Sequence, residues 1–163
     1  MANHIIEIDP FDVGSIIQAQ REQERILKEF DEKVDRFLKE VAKIGERAAQ
    51  SAYGNAVTVS VAEIENGYEI RADGKSVVFI EFGAGSAVNP ANRYANEVSA
   101  QGGFEIRKGS YSDMNGGEYA QTGYHFWHFG GVQYTKVEPR NGMQKAYEAI
   151  AREMKDVAKA VFG

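Results

Sequence analysis

No cysteine occurs among the 163 residues, which excludes disulfides, thiolate zinc sites, iron–sulfur clusters and cysteine nucleophiles together. No stretch approaches the roughly 18 consecutive apolar residues that a membrane helix needs. The start, Met1-Ala2-Asn3-His4-Ile5-Ile6-Glu7, lacks the basic opening and apolar run of a signal peptide, so the protein is expected to be made and assembled in a cytoplasm. Positive charge is in deficit: 19 basic against 24 acidic residues leave −5, with no Lys/Arg cluster. Nothing therefore suggests a polyanion-binding surface, and no sequence-specific nucleic-acid partner is expected. There are only three histidines, and no internal repeat at a fixed period.

What remains is ordinary globular composition, with 43% hydrophobic and 26% charged residues in a length that suits one core. Residues 1–14 read as an arm, with Ile5, Ile6 and Ile8 followed by the breaker Asp9-Pro10. Such an apolar terminal segment can dock on its own sheet or add a strand to a neighbour. From Ser15 to Ala52 the pattern is helical, with Ile26/Leu27, Phe30, Val34, Phe37/Leu38, Val41, Ile44, Ala48 and Ala52 on one stripe. Acid-before-base pairs four apart at Glu24–Lys28, Glu29–Lys33, Glu32–Arg36 and Asp35–Lys39 suit its solvated face. About 37 helical residues would span roughly 55 Å, longer than the ~40 Å diameter of a compact domain of this size. The spacing thus predicts either a break, at Gly45 or before Ile26, or a stripe shared with other subunits.

A β-rich middle follows. Val57, Val59 and Val61 alternate with polar and small residues, as do Tyr68, Ile70 and Ala72, and Asn66-Gly67 between them signals a hairpin. After the turn Asp73-Gly74, the apolar run Val77-Val78-Phe79-Ile80 predicts a central strand. Residues 83–123 are a glycine-rich insertion with no assigned regular structure, and a fourth strand is expected near Tyr124–Phe129. Pro139 and Asn141 then open a helix whose stripe runs through Met143, Ala146/Tyr147, Ile150, Met154, Val157/Ala158 and Val161. The expected fold is α+β over residues 15–163: a long N-terminal helix, an antiparallel sheet of about four strands, and a C-terminal helix packed on the sheet.

Signals for chemistry are weak. His125 and His128 would share a helix face, but on a strand their spacing puts them on opposite faces, and no HExxH or comparable carboxylate pattern accompanies them, so no metal is expected. Phe82-Gly83-Ala84-Gly85-Ser86 lacks the lysine of a phosphate loop and reads as a turn where backbone passes closely. No serine sits in a GxSxG elbow, and no cofactor is implied. Glu81 at the end of its apolar run is a lone carboxylate without an evident acid–base partner.

Taken in order, these pieces resemble a known family. Val78-Phe79-Ile80-Glu81-Phe82-Gly83-Ala84-Gly85 is similar to the aromatic-x-Glu-Phe-Gly-x-Gly signature of the neck, or head–tail joining, proteins of long-tailed bacteriophages and prophages. The glycine-rich insertion with Gly109-Ser110-Tyr111, the aromatic strand His125-Phe126-Trp127 and the proline-led helix after Pro139, with Gly142-Met143-Gln144-Lys145-Ala146, follow in the family's order. Two departures are Ala84-Gly85-Ser86 where threonine often stands, and a Pro139–Met143 spacing two residues longer than the tightest pattern. The resemblance covers nearly the whole chain and implies a non-enzymatic virion protein. It would form a homo-oligomeric ring, commonly six-fold, between head-closure proteins and the tail terminator or tail tube, assembled in the host cytoplasm. Subunit contacts are then expected at the arm (Ile5, Ile6, Ile8), the long helix (Phe30, Phe37), the turn (Glu81, Phe82), the insertion (Tyr111) and the aromatic strand (Trp127). Alternative readings are a tail terminator ring, a small hydrolase using Glu81 with His125 or His128, and a regulatory binding module.

Overall fold

A computed structural model describes residues 6, 9, 11–74, 77–83, 87, 89–102, 127–129, 132–134 and 137–163. It opens on one unbroken helix, α1 (Val13–Tyr53). The Asp12 carboxylate accepts from the Gly14 N–H at 2.9 Å and starts it. No proline falls between Pro10 and Pro90, so nothing removes a donor inside the helix. Gly45, expected as a possible break, is instead a point of close approach: a Cβ there would overlap Ile70 and come within 2.8 Å of the Ile150 Cδ1. The four charge pairs expected along the helix are not the ones formed. Arg25 pairs with Glu22 and Glu29, Arg36 with Glu40, and Asp35 accepts from the Tyr68 hydroxyl at 2.7 Å. All these partners are solvated and contribute little.

The helix ends at Gly54, which adopts φ 60 as its N–H returns to the Gln50 carbonyl. The Gln50 amide then ties the following 3-10 turn to the sheet, donating to the Gly54 and Val57 carbonyls and accepting from the Val59 N–H at 2.8 Å. Strands β1 (Thr58–Ile64) and β2 (Gly67–Asp73) pair antiparallel, Val59 opposite Ala72 and Val61 opposite Ile70. The hairpin lies one residue earlier than the Asn66-Gly67 signal suggests. Glu65 and Asn66 form the turn, and only Gly67 carries a positive φ.

The expected third strand is a helix, α2 (Val77–Phe82). A run that is apolar at nearly every position does not distinguish a buried strand from a buried helix. The three-residue spacing decides it. Phe79 and Phe82 enter one cluster with Ala95, Tyr94 and Val98, while Val77 and Ile80 join Tyr53, Val57 and Val59 in another. A further helix, α3 (Ala95–Gly102), lies inside the glycine-rich segment 83–123, where the sequence predicts no regular element. Strands β3 (Trp127–Phe129) and β4 (Val132–Tyr134) form a separate two-stranded ribbon. The main sheet therefore has two strands, not about four.

The last element, α4 (Gly142–Phe162), runs antiparallel along α1, and this association, not the sheet face, is its main packing. Gly142 meets Tyr53, Ile150 meets the Gly45 position, and Phe162 reaches Phe30 and Phe37 with ring centroids 6.0 and 5.8 Å apart. Those rings anchor the far end of α4. Phe162→Ala is expected to lower stability by about 1–2 kcal/mol, read as a lower urea midpoint with an unchanged m-value.

Candidate functional site

The most constrained cluster joins four elements around the Glu81 carboxylate, which is only 4% exposed. Helix α2 delivers Glu81 towards the start of α4, where the first turn has backbone N–H groups without intrahelical partners. Oε2 accepts from the Tyr53 hydroxyl at 2.6 Å and the Met143 N–H at 3.0 Å. Oε1 accepts from the Asn92 side-chain amide at 2.8 Å and the Gln144 N–H at 3.3 Å. A carboxylate offers about four acceptor positions, and four donors use them. The negative charge also lies at the positive end of the α4 dipole. Glu81 is thus the cap of α4, supplied from a distant part of the chain.

The residue that would ordinarily cap α4, Asn141, is turned away from that task. It sits in the left-handed region at φ 51 and makes no side-chain cap. Its Oδ1 instead accepts from the amides of Asn89 and Asn92, both at 3.1 Å. Backbone bonds lace the same joint, Arg140 N–H to the Ile80 carbonyl at 2.7 Å and Asn141 N–H to the Glu81 carbonyl at 3.2 Å. The Arg140 guanidinium also donates to the Tyr53 carbonyl. Gly83, at φ 81, leaves α2 where a Cβ would lie 2.8 Å from the Ala87 carbonyl oxygen and 3.0 Å from Pro139. Gly142 lets the Tyr53 ring lie directly on the α4 backbone.

Beside this joint is a cleft of about 550 Å³ under the outer edge of β2. Its lining includes Ile70, Ala72, Val77, Val78, Phe82 and Val98, with Tyr94 and Gln101 opposite. Burial pushes the Tyr94 hydroxyl upward. Nearby, the Arg93 guanidinium lies over the Tyr147 ring, 3.4 Å from its centroid.

Tyr53 is fully buried, and burial, then the bond to Glu81 and that group's charge, push its hydroxyl well above the usual tyrosine range. Tyr68 is pushed up to about 12, chiefly by its bond to Asp35. Ionisation of either ring is thus favoured in the unfolded chain. The stability they contribute is complete below pH ~10, the unfolded tyrosine value, and declines as pH rises beyond it. Tyr53→Phe is expected to cost about 1–2 kcal/mol near neutrality, because the Glu81 Oε2 loses a donor. Above pH ~10 the wild-type chain should lose up to about 1.4 kcal/mol per pH unit more steeply than the variant, which urea titrations at pH 8, 10 and 11 would measure.

The expected contact residues fall in several environments. Glu81 and Phe82 are buried within the chain and belong to its own joint and core. Phe30 is exposed beside Phe162, and Phe37 is half-buried against it. Ile6 is exposed. Trp127 and His128 are placed on β3 by backbone pairing with Tyr134 and Gln133. Ile5, Ile8, Tyr111 and His125 lie outside the described residues. Sequence reasoning singled out Glu81 but missed Tyr53, Asn92, Asn141 and Gly142. The only local signal for the last two was the Pro139-Arg140-Asn141-Gly142 helix start.

Among the described residues no three or more His, Asp or Glu side chains gather as a metal site, and no helix is long and apolar enough to cross a membrane. The chain matches no protein-family model, no curated protein and no solved structure.

Proposed function

We propose that the chain is a structural component of a long-tailed bacteriophage, forming a ring at the head–tail junction. The observation that carries this reading is the junction around Glu81. Two segments that resemble the neck-protein pattern, Glu81-Phe82-Gly83 and the helix led by Pro139, are distant in sequence yet meet in one hydrogen-bonded joint. Each residue of the first has a physical task there. Glu81 caps, Phe82 fills the core and Gly83 passes close to Pro139.

Two further observations support an assembling protein over an enzyme. The one carboxylate singled out from sequence has its four acceptor positions filled by donors of the chain itself, leaving none for a substrate proton. Apolar side chains stand in solvent at the outer end of α1 and just before it, Phe11 at 97% and Val13 at 70% exposed, with Ile16, Ile17 and Leu27 further along the helix. Exposed apolar surface of that kind marks protein contacts.

The test is an early stop codon in this gene of the parent phage, with lysates viewed by negative-stain microscopy. Packaged heads beside free tails of normal length are expected. Tails of uncontrolled length would move the task to tail termination, and intact infectious virions would overturn the structural reading.

A further inference from the structure

The cleft and the free edge above it point to a specific subunit contact. Among the described residues, strand β2 pairs with β1 alone, and no backbone group bonds its other edge. An open edge of seven residues is a template for one more strand. Beneath that edge lies the apolar lining of Val77, Val78, Phe82 and Val98, while Glu69, Arg71 and Asp73 line the solvent side and are exposed. A fitting occupant is an extended segment with apolar side chains at alternate positions and a charge between them. Ile6-Glu7-Ile8 has that pattern: Ile6 and Ile8 would face the cleft, and Glu7 the solvent side, where Arg71 is already paired with Glu69 at 2.8 Å.

Chain length excludes this segment from reaching its own cleft. The Asp9 N–H donates to the Ser15 hydroxyl at 2.7 Å, fixing the base of the arm at the start of α1. Residues 4–8 lie within five residues of Asp9, at most about 18 Å of extended chain. The near end of β2 sits where Tyr68 meets Asp35, some 20 helical residues and about 30 Å from Ser15. Ile70, at the level of Gly45, is about 45 Å away. Moreover, α4 ends at Phe162 against Phe30, so the stretch Val13–Glu29, about 25 Å long, continues past the end of α4 and carries the arm away from the cleft.

We propose that residues 4–8 of one copy add as a strand to the free edge of β2 in a second copy, with Ile6 and Ile8 seated in the cleft. Donor and acceptor patches differ, so every copy can give an arm and receive one, as a closing ring requires. The contact specifies the self-assembly proposed above and rests on it.

The test uses the full chain with Ile6→Asp and Ile8→Asp, whose own arms no longer compete, and a fluorescein-labelled peptide of residues 1–10. Saturable binding by anisotropy is expected, weakened at least tenfold when the peptide carries the same two substitutions. Peptides N-methylated at Ile5 and Glu7, or at Ile6 and Ile8, should behave unequally, one set losing binding and the other keeping it, because alternate N–H groups of an added strand face the edge. No saturable binding, indifference to the aspartates, or equal behaviour of the two methylated peptides would each overturn the contact. Failure here alongside free tails in the stop-codon lysate leaves the neck reading intact. Binding alongside infectious virions retains the contact and removes the neck.

Discussion

Glu81→Gln is expected to destabilise the fold by about 2–4 kcal/mol. The amide keeps the size of the carboxylate but replaces one acceptor oxygen by a donor. Whichever way it turns, its NH₂ faces either the Tyr53 hydroxyl and the Met143 N–H, or the Asn92 amide and the Gln144 N–H. Tyr53 can rotate its proton away. Asn92 cannot easily reverse, since its Oδ1 accepts from the Tyr94 N–H at 3.0 Å. Neither backbone N–H can change sign at all. One buried donor left facing another costs about 1–3 kcal/mol, and losing the charge at the α4 terminus adds several tenths or more. Urea unfolding followed by circular dichroism measures the sum, and a loss under ~1 kcal/mol would show that the capping bonds matter little.

Gly142→Ala should cost about as much, by overlap. A Cβ at this position would stand 2.5–2.6 Å from the Tyr53 Cε2 and Cε1 atoms, well inside contact distance, and that ring is fully buried with nowhere to swing. Alanine favours a helix over glycine by up to ~1 kcal/mol, but forcing bulk into a packed joint costs about 1–3 kcal/mol or more. A net loss near 2 kcal/mol is expected. Because displacing Tyr53 also draws its hydroxyl from Glu81, the double variant with Glu81→Gln should lose less than the two single losses combined. Strict additivity would mean that ring and carboxylate act independently.

Periodicity made the two long helices and the hairpin legible. The stripe from Ile26 to Ala52 and that from Met143 to Val161 each hold to 3.6 residues, and Val59, Val61, Ile70 and Ala72 alternate as a half-buried pair of strands does. Val77–Phe82 misled because it is apolar at every position but Glu81, which is itself buried. It is wedged between two clusters, so no polar face betrays the period. Helix α3, with Ala95-Asn96-Glu97-Val98 as its start, has too little apolar periodicity to declare itself in eight residues. The site was harder still. Glu81 stood out as a carboxylate in an apolar run, but its partners are a tyrosine 28 residues before it, an asparagine 11 after it and two backbone N–H groups. Backbone donors have no sequence identity, so a cap supplied at long range leaves no motif of its own. The α1–α4 pairing was hidden for a related reason. The α4 stripe declares that one face is buried, not which surface covers it.

Met143 and Gln144 find their acceptor 62 and 63 residues upstream, so the first turn of α4 cannot fray by itself as an ordinary helix terminus does. Releasing those two amides to solvent means withdrawing α2, which also uncovers Tyr53 and parts the bonds from Arg140 and Asn141 to the backbone of Ile80 and Glu81. Amide exchange at Met143 and Gln144 should therefore track the sub-global opening of α2 and α4 together, and a protease that cuts within α2 would find its site only when the amino-terminal turn of α4 has come undone with it.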